Sequence, residues 1–298
     1  MIMKPAANQI SDEYLAFQVA LQDSLGIVIG DDNRARIEGR LQPIMTRERL
    51  SRLSELAEAL RQDQAARRAV TDAHELAEAL RQDQASGLRS DVLEAISTHD
   101  AAWFHFEEIH RLVTEYMLPS LVGKNAGECH LWYPACGNGQ GVYSLAMVIR
   151  EALIELDSDL DVKIIATDSS QEAIAFASAG RFPKSEVDAI PEYFRQRCMQ
   201  AKGDEYRIDD NIREMVSFRN KDLQSEIADG KERFDAILCL DVLMYFSTGN
   251  KRHILDACAE QLVPAGMLLL NSGEMVLPFC DRFEMVEHDI VTFYRKIS

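Results

Sequence analysis

A glycine-rich loop between two apolar segments is the part of this sequence best suited to binding a ligand. The loop carries Gly137, Gly139 and Gly141, follows the apolar segment LWYPAC and precedes the amphipathic segment VYSLAMVIREAL. Glycine permits positive φ and lets a ligand lie against bare backbone, and the first turn of a helix offers free N–H groups. The pattern predicts a nucleotide site after a strand, with a plain strand-to-helix turn as the alternative.

A carboxylate ends the next apolar segment. VKIIATD finishes at Asp168, 31 residues after Gly137, and a carboxylate there can accept hydrogen bonds from both hydroxyls of a ribose. It could instead cap a helix that begins near Ser170. The spacing G-x-G-x-G, with Val142 next, departs from the dinucleotide pattern G-x-G-x-x-G, and no GK[ST] follows to make a kinase-type phosphate loop. If the loop does bind a ligand, the pattern and the acid together fit S-adenosylmethionine (SAM) or, less in keeping with the spacing, a dinucleotide.

A third segment, FDAILCLDVLMYF, supplies two further candidate site residues. As one hydrophobic strand it would bring Asp241 and Tyr245 to the same edge of the sheet. Groups that face a substrate belong at such an edge. The alternative is that Tyr245 is a half-buried tyrosine of the core.

The elements around these residues alternate between short apolar runs and helical segments from Cys129 onward. This alternation predicts a mostly parallel sheet with helices on both faces, an α/β fold. The first ~120 residues instead show apolar positions at helical spacing. We therefore expect a helical N-terminal domain at residues 1–122 and an α/β domain at residues 123–298.

One internal repeat lies in the helical part. ELAEALRQDQA occupies residues 55–65 and recurs unchanged at residues 75–85. In one straight helix, a shift of 20 residues turns the apolar face by roughly 200°. We therefore expect a break between the copies, with Thr71 or Asp72 capping a second helix.

The composition narrows the class of protein. Lys and Arg number 32 against 49 Asp and Glu, a net charge of −17, which disfavours nucleic acid as a partner. The first residues lack the apolar region of a signal peptide, and no segment is apolar for long enough to cross a membrane. The closest of the six cysteines are seven residues apart, so neither zinc nor a disulfide framework is expected. These features predict a cytoplasmic protein.

Taken in order, the segments resemble the CheR-type methyltransferases, which use SAM to methylate glutamates of chemotaxis receptors. The resemblance covers most of the chain. The strongest motifs, with the family patterns in parentheses, are PACGNGQGVYSLAM (AxCSxGEEPYSxAM), ATDSSQEAIAFASAGRF (ATDI…LxxAxxGxY), FDAILCLDVLMYF (FDxIxCRNVxIYF) and GMLLLNSGEMV (GxLxxGxSE). VLEAISTHDAAWFHFEE also resembles the family's linker, which reads TNxTxFFRE.

The resemblance implies a fold and a function. The fold would be a Rossmann-like SAM-dependent methyltransferase domain preceded by an all-helical N-terminal domain, with a small antiparallel β subdomain at about residues 181–216. SAM would be the cofactor, S-adenosylhomocysteine the product, and no metal would take part. The activity would be that of a protein-glutamate O-methyltransferase, and the partner would be a chemoreceptor cytoplasmic domain or another acidic protein.

The resemblance also assigns roles to residues. It implies catalytic roles for Tyr245, His105 and Arg40, and it places the ribose on Asp168 and the adenine beside Asp222 and Leu223. The implied cofactor-binding set is His99, Ala101, Ala135, Cys136, Gly137, Asn138, Gly139, Gln140, Gly141, Asp168, Asp222, Leu223, Asp241 and Val242.

Several positions depart from the family pattern. The family's linker Asn, Thr and Arg are His99, Ala101 and His105, and the paired glutamates of GEE are Gln140 and Gly141, so a carboxylate that would meet the cofactor's ammonium is gone. Two family Asn positions are Asp222 and Asp241. These changes leave two alternatives open: a degenerate relative that binds SAM or its product as a regulatory or partner-binding protein, and a methyltransferase for another acceptor.

An acidic enzyme that acts on acidic receptor helices needs a local basic surface. Six arginines lie close together in the helical part: Arg34, Arg36, Arg40, Arg47, Arg49 and Arg52. They could form that surface beside Tyr245, or they could be solvated surface side chains.

Overall fold

The computed structural model describes residues 7–25, 27–30, 34–69, 87–96, 102–124, 126–221, 223, 232–271, 274–276, 279–289 and 291–297. The chain forms two compact units. One is Met1–Thr98 with Met244–Lys251, and the other is His99–Leu243 with Arg252–Ser298. The sequence places a domain boundary between residues 122 and 123. That boundary concerns domains that fold separately, whereas the two units are defined by their compactness, so it stays a prediction.

The first unit is helical, as its sequence period predicts. Its helices are α1 (Ala7–Leu25), α2 (Arg34–Arg47), α3 (Leu53–Ala69) and α4 (Leu88–Ile96). On α2 the buried side chains recur every three or four positions, at Ile37, Leu41, Ile44 and Met45. One face of the helix therefore packs into the core, which also takes Tyr14, Phe17, Leu21, Leu56 and Leu60 from α1 and α3.

The first copy of the repeat, residues 55–65, lies on α3. The second copy, residues 75–85, lies outside the described residues, and so does the break expected near Thr71 and Asp72.

In the residues that the structure describes, the second unit contains ten strands. They are β1 (Glu128–Pro134), β2 (Asp161–Asp168), β3 (Arg181–Pro183), β4 (Met199–Lys202), β5 (Glu205–Ile208), β6 (Val216–Asn220), β7 (Phe234–Leu238), β8 (Leu262–Leu269), β9 (Phe283–Val286) and β10 (Phe293–Lys296). Seven form the main sheet in the order β6-β2-β1-β7-β8-β10-β9. Neighbours from β6 to β8 pair in parallel, and β10 is antiparallel to β8 and β9.

The order of the strands locates a ligand site. From β1 the chain builds outward through β2 to β6, and it then returns to the other side of β1 and continues through β7 to β8. The direction of winding therefore reverses between β1 and β7. In open parallel sheets, ligands bind at the carboxyl ends of the strands next to this reversal.

Helices accompany the sheet. They are α5 (Glu107–Arg111), which continues through a π-helical turn (Leu112–Met117) into α6 (Leu118–Gly123), then α7 (Gln140–Glu155), α8 (Gln171–Ala179), α9 (Lys184–Val187), α10 (Glu192–Cys198), α11 (Asp210–Arg213) and α12 (Thr248–Gln261). Every residue in the first two turns of α7 is buried. Strands β1 and β2 are buried along almost their whole length as well, as expected for parallel strands covered on both faces.

The small antiparallel subdomain that the family resemblance implies is present. Strands β3, β5 and β4 form a separate three-stranded sheet. Its Phe182 is fully buried against aromatic rings, with centroids 4.8 Å from Trp103, 5.3 Å from Phe176 and 6.0 Å from Tyr143. The α/β fold, the helical N-terminal part and the inserted sheet are therefore confirmed.

Two details of the sheet differ from the sequence pattern. Strand β7 ends at Leu238, and a short 3-10 turn follows at Leu243–Tyr245. The backbone at Asp241 has a φ of 55°, which is incompatible with an extended strand. Strand β9 was also not predicted, because its four residues alternate too briefly to be told from a loop.

The buried imidazole of His110 gives the second unit a testable dependence on pH. Burial lowers the pKa of His110 from 6.5 to about 4. Below pH 6.5 the unfolded chain binds a proton at this histidine and the folded chain does not. The free energy of unfolding should therefore decrease as the pH is lowered from 6.5, and the decrease should be complete near pH 4. At pH 5 the loss from this group is roughly 2 kcal/mol.

Urea unfolding at pH 7.5 and pH 5 measures this loss. The variant His110→Leu should lose less stability than the natural chain over that range. The control His130→Gln replaces a half-exposed histidine in place of a buried one. An equal loss in all three chains would contradict the expectation for His110.

Candidate active site

The loop after β1 is a tight turn. Its Cys136 N–H donates to the carbonyl of Thr167 at 3.0 Å, and the Gly139 N–H donates to the carbonyl of Cys136 at 3.1 Å. Three of its residues have positive φ: 51° at Ala135, 53° at Gly137 and 87° at Gly139. Ala135 is the exposed one of the three. A non-glycine residue with positive φ is uncommon and is a frequent feature of binding sites.

Two of the glycines are required by close packing within the protein. A Cβ on Gly139 would lie 2.9 Å from Cβ of Ala177, and a Cβ on Gly141 would lie 2.6 Å from the hydroxyl of Tyr133. Both distances are shorter than real Cβ contacts allow. Because these glycines have no side chain, the loop backbone can lie close to the neighbouring residues. Only glycine fits at these positions without movement of a neighbour.

Asp168 lies at the end of β2 and orients the loop. One carboxylate oxygen accepts from the Gly137 N–H at 2.8 Å, and the other accepts from the Ser170 N–H at 2.9 Å. The residue is 8% exposed. The side chain that caps α8 is Ser170, whose hydroxyl accepts from the Ala173 N–H. The Asp168 carboxylate keeps free lone pairs, since each oxygen can accept more than one hydrogen bond.

A second polar cluster lies beyond the end of β7. The Asn271 side-chain amide donates to a carboxylate oxygen of Asp241 at 2.6 Å, and the Asp241 N–H donates to the carboxylate of Glu274 at 3.0 Å. Glu274 is buried. Sequence reasoning did not include Asn271 and Glu274 in the site. The signal for them was the polar stretch NSGE after the apolar run of β8.

Gln140, the first residue of α7, has a buried acceptor without a partner. Its side-chain amide donates to Glu186 at 3.2 Å. Its buried Oε1 accepts no hydrogen bond from the residues that the structure describes. A buried acceptor without a hydrogen bond lowers the stability of the fold. The position therefore suits a ligand or water that donates a hydrogen bond.

The other predicted residues of the second unit have varied surroundings. Asn138 is half-buried, and Val242 and Leu223 are buried. His105 is exposed, with its ring 4.9 Å from that of Phe106. His99, Ala101 and Asp222 lie outside the described residues. The structure thus brings together residues 135–141, Asp168 and the end of β6, and it places Asp241 past the end of β7.

Tyr245 and Arg40 belong to the helical unit. The Tyr245 carbonyl accepts from the Val28 N–H at 2.6 Å, and the half-buried side chain packs against the helical core. Arg40 is half-buried on α2. Arg36, Arg40 and Arg47 are four and seven residues apart, so they form one stripe on that helix.

Several of the six arginines pair with acids. Arg34 contacts Glu38 at 2.7 Å, and Arg52 contacts Glu55 at 3.4 Å. Arg47 contacts Asp91, and it also contacts Glu48 at 2.9 Å. These pairs are partly or largely exposed, so each stabilises the fold little. They do reduce the net positive charge of the surface.

Other chemistry is constrained by burial. All six cysteines are buried and free. Burial raises the pKa of the Cys136 thiol well above its ordinary value, and the nearby charge of Asp168 raises it further, so this thiol is not a nucleophile at neutral pH. The described residues include no cluster of three or more His, Cys, Asp or Glu able to hold a metal ion. In the described part of the chain, no helix combines the length and the apolar character needed to cross a membrane.

The fold and the loop define a class: doubly wound α/β proteins that bind a nucleoside-containing ligand at the carboxyl end of the first strand. Comparison with known proteins narrows this class. The family model "CheR methyltransferase, SAM binding domain" matches residues 100–292, and "CheR methyltransferase, all-alpha domain" matches residues 12–74. The chain belongs to the CheR methyltransferase family.

Curated relatives cover nearly the whole chain. A chemotaxis protein methyltransferase of Vibrio parahaemolyticus is 32% identical over 94% of this chain and 95% of its own length. Chemotaxis protein methyltransferase 1 of Vibrio cholerae is 32% identical over the same shares. The Pseudomonas aeruginosa protein of that name is 30% identical over 95% of this chain and 97% of its own. Among solved structures, the [4+2]-cyclase SpnF has a TM-score of 0.38 at 18% identity over 65% of each chain.

SAM is the methyl donor of this domain family, and the residues present fit it. The orphaned Gln140 Oε1 suits a donor group. The remaining lone pairs of the Asp168 carboxylate suit the two hydroxyls of a ribose. The bare backbone of the loop lets a bulky nucleoside approach closely.

Proposed function

We propose that this protein transfers the methyl group of SAM to glutamate carboxylates of chemotaxis receptors. Relatives named chemotaxis protein methyltransferases match it over nearly its whole length and theirs, which supports the proposal. The observation that carries it is the junction of loop and strand, where Asp168 holds the Gly137 N–H and keeps acceptor capacity for a ribose. The match to the SAM-binding family model covers that junction.

The reaction needs little proton transfer. Bound SAM supplies an electrophilic methyl group on a sulfonium, and displacement by a carboxylate oxygen yields a methyl ester and S-adenosylhomocysteine. A glutamate side chain is already ionised at pH 7. The work of the protein is therefore alignment and exclusion of water. Asp168 and the loop residues 135–141 would hold the nucleoside, and Gln140 would accept from a donor group.

The acceptor side of the site is proposed from the family resemblance. Tyr245 follows Asp241 by four residues, and it would hydrogen-bond and orient the substrate carboxylate. His105 replaces the family's linker Arg and would face the same carboxylate. Arg40, on the stripe with Arg36 and Arg47, would attract an acidic receptor helix. This local stripe would let a protein with a net charge of −17 bind an anionic partner.

Transfer of labelled methyl tests the proposal. SAM with a labelled methyl group is incubated with the full chain and a receptor cytoplasmic domain, and mild base then releases methyl esters as methanol. We expect label in the receptor and in the methanol. Label that appears only on a small molecule or on a base-stable group would point to another acceptor. Binding of S-adenosylhomocysteine without any transfer would point to the regulatory alternative.

Tyr245→Phe should lower the rate of methyl transfer by about 10- to 100-fold, because a hydrogen bond that orients the carboxylate in the transition state is lost. Its affinity for S-adenosylhomocysteine should be unchanged. Tyr294→Phe makes the same change in a buried tyrosine of β10 and serves as the control. Equal rates for Tyr245→Phe and the natural chain would remove Tyr245 from the proposed site.

A further inference from the structure

The hydroxyl of Tyr133 is a polar group beside the binding loop that the fold itself does not use. Tyr133 is the penultimate residue of β1 and is 5% exposed. Among the described residues its hydroxyl has no hydrogen-bond partner. Such a group beside a binding loop is a candidate contact for the ligand.

The hydroxyl lies against the start of α7. It is 2.6 Å from the position that a Cβ on Gly141 would occupy, and Gly141 is the second residue of this 16-residue helix. The first turn of a helix presents free N–H groups and a partial positive charge. The absence of a side chain at Gly141 therefore gives the tyrosine hydroxyl its place at a helix N-terminus.

The surroundings keep this hydroxyl protonated. Burial raises the pKa of Tyr133, and the neighbouring Cys136 and Asp241 raise it further. A protonated phenol can both donate and accept a hydrogen bond. It can therefore pair with either an ammonium or a carboxylate group.

The strand order fixes which part of the methyl donor this hydroxyl would meet. Strand β1 lies between β2, which ends in Asp168, and β7, which leads to Asp241. With the ribose on Asp168 and the adenine on the β6 side, beside Leu223, the rest of the donor extends over β1 toward β7. The amino acid part of SAM is the part that remains, and it carries both an ammonium and a carboxylate.

We propose that the Tyr133 hydroxyl binds the amino acid end of the methyl donor. The inference rests on the proposed function, since it takes the ribose to lie on Asp168. In this arrangement Tyr133 is a cofactor-binding residue, and Gly141 is required because any side chain there would displace the hydroxyl.

Calorimetry with two ligands tests the contact. S-adenosylhomocysteine contains the amino acid, whereas 5′-methylthioadenosine has the same nucleoside and thioether without it. Tyr133→Phe in the full chain should weaken binding of S-adenosylhomocysteine roughly 3- to 10-fold, the effect of one hydrogen bond. Binding of 5′-methylthioadenosine should be unchanged.

A matched control separates the contact from a loss of stability. Tyr143→Phe also removes one buried hydroxyl, which donates to the carbonyl of Ala177 at 2.8 Å. It should leave the ratio of the two affinities unchanged. A drop of the same size for both ligands in Tyr133→Phe, or no drop for either, would overturn the contact.

A second variant tests the same contact by a change in helix α7. Gly141→Ala places a methyl group against the Tyr133 hydroxyl. It should therefore weaken binding of S-adenosylhomocysteine and leave binding of 5′-methylthioadenosine unchanged. The effect should be smaller in the Tyr133→Phe background, because the displaced oxygen is then absent. Equal effects in both backgrounds would count against the contact. Failure of the natural chain to bind either ligand would instead overturn the proposed cofactor site, and this inference with it.

Discussion

Replacing Asp168 by alanine should weaken binding of S-adenosylhomocysteine by at least ~100-fold. Hydrogen bonds to a charged acceptor contribute about 1.5–3 kcal/mol each, and the two ribose hydroxyls proposed for this carboxylate would both lose their partner. The loop would lose one as well, because the Gly137 N–H donates to the same carboxylate at 2.8 Å. Calorimetric titration of the full chain measures the effect.

The control for this experiment lies on the same strand. Asp161 is the first residue of β2, at the end away from the site, and its half-exposed carboxylate pairs with Lys163 at 2.9 Å. Asp161→Ala should bind S-adenosylhomocysteine as the natural chain does. If Asp168→Ala kept its affinity, the ribose would have to lie elsewhere and the assignment of the site would fall.

Gly139→Ala should destabilise the second unit by roughly 3 kcal/mol. The residue has a φ of 87°, and a non-glycine residue in the left-handed region costs about 1–2 kcal/mol. The added Cβ would also lie 2.9 Å from Ala177 and 3.3 Å from the ring of Phe218, and such overpacking typically costs about 1–3 kcal/mol. Urea unfolding measures the loss.

Gly249→Ala is the matched control for this change. Gly249 lies in the first turn of α12 with no atom within 4 Å of its would-be Cβ, so alanine there should leave stability unchanged or raise it by up to ~1 kcal/mol. If Gly139→Ala proved as stable as the natural chain, the loop would have to be able to move away from Ala177 and Phe218.

Much of the architecture was predictable because it depends on local patterns. Helical periodicity marks the core face of α2, and short apolar runs mark the buried strands β1 and β2. The loop residues and Asp168 could be placed together because both follow parallel strands, whose carboxyl ends meet at one edge of a sheet. That reasoning needs only the type and order of the elements.

Other features depend on contacts between distant residues. Asn271 and Glu274 reach Asp241 across 30 and 33 positions, and no local pattern indicates which strand end they will meet. The stretch from Phe234 to Phe246 is apolar except for Asp235 and Asp241, and no change of pattern marks the end of a strand. Its strand nevertheless ends at Leu238, and Tyr245 packs into the helical core, because tertiary contacts outweigh β-propensity.

The sequence alone determined the alternation of strands and helices and the family, and it singled out Asp168 as the carboxylate beside the loop, since these depend on spacing along the chain. Only the tertiary structure decided why Gly139 and Gly141 are glycine and what lies beside them. The close approach of Gly141 to the Tyr133 hydroxyl comes from the packing of a helix on a strand. That geometry is settled by side-chain volume in three dimensions and not by residue order.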